Sequence, residues 1–206
     1  MTNEDKIILD LCGGTGSWSK PYRDAGYDVQ LITLPDNDVL TYAPPKGVYG
    51  ILAAPPCTEF SVLNAIAAPR ERKPQEGMIV VNACKAIIEK CNPIFWAMEN
   101  PVGFLRQYIG KPAFTFQPWW FGDAWTKKTD IWGNFNNPKR IFNNWNDVPK
   151  LPIYTRPNRE KPSIAYLHKS AQSLIPQLGG FSVRTDADLR AITPPGFAKA
   201  FFEANK

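Results

Sequence analysis

The sequence is short of metal ligands. It has a single histidine, His168, and four cysteines at positions 12, 57, 84 and 91. No two cysteines stand in C-x-x-C spacing, so neither a zinc centre nor any other metal site is expected. Long apolar runs are also missing. Nothing approaches the ~20 residues that span a bilayer, and the first residues, Met1 to Lys6, are polar and acidic. The expectation is a cytoplasmic chain with reduced thiols and no membrane partner. There is no internal repeat or low-complexity tract. Charge of one sign is only modestly in excess: 24 Lys and Arg against 19 Asp and Glu give a formal net charge of +5. That balance permits a polyanionic partner without requiring one. With 206 residues, 44% of them hydrophobic, the chain is sized for one compact, monomeric domain spanning 1–206.

The first half alternates short apolar runs with helix-compatible stretches, which predicts α/β architecture. Strands are expected over Lys6 to Leu11, Asp28 to Ile32, Gly50 to Ala54 and Ile94 to Met98, with a short helix over Ser19 to Ala25. Met78 to Lys90 predicts a helix lying on the sheet, with Ile79, Val80, Ala83, Ala86, Ile87 and Cys91 on its apolar face. From about Lys111 to Lys161 the composition shifts to tryptophan, asparagine and proline without sustained period. So many aromatics argue against a disordered linker and for an irregular or short-strand region. Thr193-Pro194-Pro195-Gly196 reads as an N-cap with proline in the first turn, opening a final helix over 193–205.

Three motifs carry chemistry. In Asp10-Leu11-Cys12-Gly13-Gly14-Thr15-Gly16 a strand runs into glycines that allow a sharp turn and close approach to a ligand. The G-x-G-x-x-G order is absent, so the motif alone equally fits a turn without a ligand. A nucleoside cofactor calls for a carboxylate after the second strand, where Asp36 and Asp38 stand, either as ribose ligands or as turn residues around Asn37. Cys57 follows Ala53-Ala54-Pro55-Pro56, and the two prolines fix an extended course that presents the thiol at a strand's carboxyl end. Cys84 and Cys91 are assigned to packing. Glu99, followed by Asn100 and Pro101, comes directly after an apolar run, where a carboxylate needs a reason. It either caps a helix beginning near Val102 or holds a base edge.

In order, these segments resemble the cofactor, nucleophile and base-binding motifs of the DNA cytosine methyltransferases that modify carbon 5, in a short layout like that of phage members. The resemblance covers Lys6 to Pro101. It implies a Rossmann-like S-adenosylmethionine-dependent methyltransferase fold, with a mostly parallel sheet, helices on both faces and a small irregular aromatic-rich region. It also implies S-adenosyl-L-methionine as cofactor and DNA as partner. The cofactor would be held by Asp10, Leu11, Cys12, Gly13, Gly14, Thr15, Gly16, Trp18, Asp36, Asp38 and Pro55. Cys57 would add covalently to a flipped cytosine, with Glu99 serving its base edge and Asn100 fixing the orientation of the Glu99 side chain.

The family's glutamine-arginine motif has no counterpart; Trp125 to Trp132 stands in its place, with Lys127 or Lys128 supplying the charge. Only 111–161, with Lys139, Arg140, Arg156, Arg159 and Lys161, is available as a reduced target-recognition region. Its tryptophans would either stack on bases or form a satellite core. The helix over 193–205 is expected to close the fold. Two other readings remain open: an idle relative that binds S-adenosylmethionine or nucleic acid, and a methyltransferase acting on RNA or a free pyrimidine nucleotide.

Overall fold

The computed structural model describes residues 2–62 and 71–206. Six strands form one sheet in the order β2-β1-β3-β4-β6-β5. They are β1 (Ile7–Leu11), β2 (Asp28–Ile32), β3 (Val48–Ala53), β4 (Phe95–Pro101), β5 (Phe114–Phe116) and β6 (Thr129–Asn134). β1 to β4 run parallel, while β6 pairs antiparallel with both β4 and β5. The chain passes from β1 to β2 on one side and from β3 to β4 on the other, so the strand order reverses between the adjacent β1 and β3. Ligands of open α/β sheets bind at such a switch point, outside the carboxyl ends of the strands.

Alternation along β1 assigns the two faces. Leu9 and Leu11 pack under α2 (Pro74–Cys91) with Val81, Cys84, Ile87 and Ile88, and Ile8 points to the other side. There, α1 (Lys20–Asp24) and the C-terminal helix form an aromatic layer around Trp18, Tyr22, Phe95, Phe197 and Phe201. Two short helices, α3 (Arg106–Ile109) and α4 (Asp186–Ala191), precede the C-terminal α5 (Pro195–Ala204). Among the described residues no helix is long and apolar enough to cross a membrane.

Some expectations shift. α2 begins earlier than predicted, at Pro74, and its buried stripe is rotated: Val81, Cys84, Ile87 and Ile88 face the sheet, while Ile79 and Ala86 are exposed. Apolar residues surround much of this helix, so the period left the face ambiguous. β4 runs through Glu99 to Pro101 instead of stopping at Met98, because β6 pairs with it along that length. The aromatic region also divides. β5 and β6 belong to the sheet, and the chain beyond β6 folds as short turns over satellite cores that bury Trp125 and Trp145. For those two tryptophans packing is the outcome.

α5 is not capped by Thr193. Its N-cap is Pro194, which makes no side-chain cap, and Pro195 has no N–H. The first free donors are Gly196 and Phe197, and both reach the carboxylate of Asp123, at 3.1 and 3.3 Å. Phe197 then stacks on Phe116 with ring centroids 3.8 Å apart. Asp123 thus joins α5 to the turn before β6. Burial pushes its carboxyl up to about 7, against the pull of the two backbone donors. Asp10 is likewise pushed up to about 6 by burial, opposed by its bond from Ser19 and by Arg23.

These two carboxyls reverse the usual acid sensitivity. The unfolded chain releases such protons near pH ~3.9, whereas the folded protein keeps them to about 6 and about 7. Across that window the folded state binds more protons, so stability falls as pH rises. The melting temperature is therefore expected to be higher at pH 5 than at pH 8. Asp123→Asn, which keeps an acceptor for the helix donors, should flatten that slope in melts followed by circular dichroism.

Candidate active site

The carboxyl ends of β1, β3 and β4 finish in one row. Leu11 pairs with Ala53, Ala53 pairs with Met98, and the Ala54 N–H donates to the Leu11 carbonyl at 2.9 Å. Glu99 stands one residue past this row, and Cys57 comes three positions after Ala54, beyond the two prolines. The proline segment is tied to β4 by Asn100, whose amide Nδ2 donates to the Pro55 carbonyl at 2.9 Å. Asn100 is buried and its Oδ1 has no partner. It fixes where the Cys57 loop starts and so acts as a positioning residue through the proline segment.

The Cys57 loop is held on three sides. The Cys57 carbonyl accepts from the N–H groups of Phe60 and Ser61, closing a tight turn. The Phe60 carbonyl accepts from Phe104 N–H, and Gly103 lies so close that an added Cβ would stand 2.2 Å from the Phe60 oxygen. Arg72 donates to the carbonyls of Glu59 and Ser61 at 2.8 and 2.9 Å, with its guanidinium over the Phe104 ring. Neither Arg72 nor Gly103 was found by sequence reasoning. A glycine soon after Pro101 was the only local signal for Gly103, and nothing local marked Arg72.

Cys57 is half-buried, and burial pushes its thiol above the ordinary range. Two charges modulate it: Lys127 favours the thiolate and Glu99 disfavours it. The charges of Glu99 and Lys127 both reach the sulfur. Lys127 arrives there because Val102 N–H bonds the Lys128 carbonyl and Thr129 bonds the Lys127 carbonyl, which pins the segment leading into β6. Lys127 is half-buried and Lys128 is exposed, and of the two it is Lys127 whose charge acts on Cys57. Glu99 is 9% exposed and has no hydrogen-bond partner among the described residues. No helix starts at Val102, so Glu99 caps nothing.

Beside this trio lies the glycine turn. Cys12, Gly14 and Gly16 adopt positive φ of 57°, 54° and 68°, reversing the chain into α1. An added Cβ at Gly13 would strike the Asp10 carboxyl group at 2.4 Å, so Asp10 fills the underside of the turn. Its Oδ2 accepts from Ser19 at 2.5 Å, and its Oδ1 is buried without a partner. Gly14 is exposed with open space above it, and Thr15 is half-buried. Asp38 is half-buried and its charge acts on the Cys12 thiol, whereas Asp36 is exposed. The Cys12 thiol is lowered chiefly by its hydrogen bond with Cys84.

Other expected cofactor residues sit differently. Leu11 and Trp18 are in the core, Trp18 against Phe197 and Phe201. The Trp18 ring is committed to packing because the short α1 leaves its approach to be filled from α5. Asp10 supports the turn from beneath. Pro55 is buried and its carbonyl is taken by Asn100.

No protein-family model matches the chain, and no curated protein matches it. The edge carries its own chemistry: a thiol under the influence of two opposite charges, a carboxylate with no partner among the described residues and an open glycine turn alongside. Among the described residues no group of His, Cys, Asp or Glu is placed to hold a metal ion.

The two charges give opposite expectations for Cys57. Glu99→Gln removes a group that raises the thiol, so Cys57 alkylation by iodoacetamide at neutral pH should become faster. Lys127→Ala removes the group that lowers it, and alkylation should slow. Lys128→Ala should leave the rate unchanged. Mass spectrometry of the Cys57 peptide separates this signal from the other three thiols.

Proposed function

We propose that the protein transfers a methyl group from S-adenosyl-L-methionine to carbon 5 of cytosine in DNA, with Cys57 as covalent nucleophile. The observation that carries the proposal is the meeting of Cys57, Glu99 and Lys127 at the carboxyl edge of the sheet, next to the glycine turn. The mostly parallel sheet with helices on both faces supports a Rossmann-like methyltransferase fold.

The residues present fit a nucleoside cofactor at the switch point. Gly14 offers open backbone, and Asp38 is a half-buried carboxylate whose charge reaches Cys12 of the motif. When bound, S-adenosylmethionine supplies the electrophilic methyl group.

The remaining chemistry belongs to the chain. Cytosine carbon 5 is a poor nucleophile until the Cys57 sulfur adds to carbon 6 and its electron pair makes carbon 5 enamine-like. Glu99, protonated, donates to ring nitrogen 3 and steadies the exocyclic amine during that addition. Lys127 stabilises the thiolate from the other side, in the place of the family's arginines. Once carbon 5 carries the methyl group, its proton leaves to solvent and the returning electron pair expels Cys57. A base inside a duplex is out of reach of a half-buried sulfur, so the cytosine must be extruded.

A fluorine at carbon 5 cannot leave as a proton. With tritiated S-adenosylmethionine and DNA containing 5-fluorocytosine, a covalent adduct is expected, and it should vanish in Cys57→Ala. Absence of the adduct from the intact protein defeats the proposal. Glu99→Gln should lower turnover by roughly 10²-fold or more while changing cofactor affinity little. Equal losses in both would reduce Glu99 to a structural residue.

A further inference from the structure

Next to Thr126, one position before Lys127, the surface holds a cavity of about 480 Å³. This lies within the size range of small-ligand sites, ~300–1,000 Å³. Its wall is built by 154–166, fixed to the segment that runs through Lys127 into β6. Thr126 N–H donates to the Pro162 carbonyl at 2.9 Å, and Ile164 N–H donates to the Thr126 carbonyl at 3.2 Å. The cavity is therefore tied to the segment that carries Lys127.

Its lining combines cations with exposed aromatic rings. Arg156, Arg159 and Lys161 face it against a single acid, Glu160, which Lys161 engages at 2.9 Å. Arg159 has no ion-pair partner among the described residues. The Arg156 guanidinium lies 4.4 Å from the centroid of the Tyr166 ring. Tyr154 and Tyr166 are 57% and 47% exposed. Exposed aromatic rings beside a cluster of cations with only one acid among them suit a ligand that is flat, stacking and anionic.

We infer that this cavity binds the unpaired nucleotide beside the target base, and that the DNA taken by the protein is single-stranded. The phosphate meets Arg159 and Lys161, and the base lies against Tyr154 and Tyr166. That the occupant neighbours the target rests on the reading of Cys57 and Glu99 as the base site. Single strands are selected because a duplex covers its base faces by stacking and offers only edges in its grooves. The buried Trp125 and Trp145 are not free to wedge base pairs apart, and a single strand avoids most of the cost of extrusion.

Fluorescence anisotropy tests this with a short labelled strand containing one cytosine, the matching duplex, and the same strand with an abasic site next to the cytosine. The single strand should bind roughly tenfold more tightly than the duplex, and Tyr154→Ala and Arg159→Gln should each cost roughly tenfold. Both residues are exposed, and unchanged melting temperatures will establish that the variants fold. The abasic site should weaken the intact protein but bring no further loss in Tyr154→Ala. Equal affinity for duplex and single strand, or abasic and Tyr154→Ala losses that add independently, would overturn the inference. Adduct formation without single-strand preference overturns the cavity assignment alone. Single-strand preference without an adduct supports the cavity while defeating the reaction.

Discussion

The site depends on the register that ends β1, β3 and β4 in one row. Parallel pairing of Leu11 with Ala53 and of Ala53 with Met98 brings three chain segments to a common edge. A slip of one residue would turn every side chain to the opposite face. Glu99 would then leave the side where it senses Cys57, and Leu9 and Leu11 would lose their place under α2. The hydrophobic faces that enforce the register are the same ones that hold the chemical groups in line.

Polar contacts at the edge act on loops that the sheet leaves free. Asn100 ties the proline segment to β4, Arg72 and Gly103 hold the Cys57 turn, and Asp10 supports the glycine turn from below. Each is buried or committed to backbone groups. The exposed or unpaired groups are different ones: Glu99, Gly14 and Lys127. This division separates residues that build the site from residues left available to a ligand.

Across the sheet, Asp123 does for α5 what Asn100 does for Cys57. Two prolines deny the helix its own first donors, and a carboxylate from a distant turn accepts from the next two. The cost is a buried acid whose proton is held to about pH 7. The aromatic stack beneath, led by Phe197 on Phe116, offsets that cost; truncating such a phenylalanine typically loses ~3–5 kcal/mol.

The α/β class, most strand positions in the first half and the three motifs were legible in the order of residues alone, because these features are local: apolar runs, proline and glycine act on their own backbone. The buried stripe of α2 stayed ambiguous, since apolar residues occupy several of its faces, and β5 and β6 were legible only as an irregular or short-strand region, because the pairing of β6 with β4 that places them in the sheet is not a local feature. Folding in three dimensions was needed to select Lys127 over Lys128 as the lysine whose charge acts on the thiol, to turn Asn100 to the loop, to bring Asp123 to the start of α5 and to commit Trp18 to the core. Those outcomes arise from long-range pairing and packing, which bring together side chains with no common local pattern.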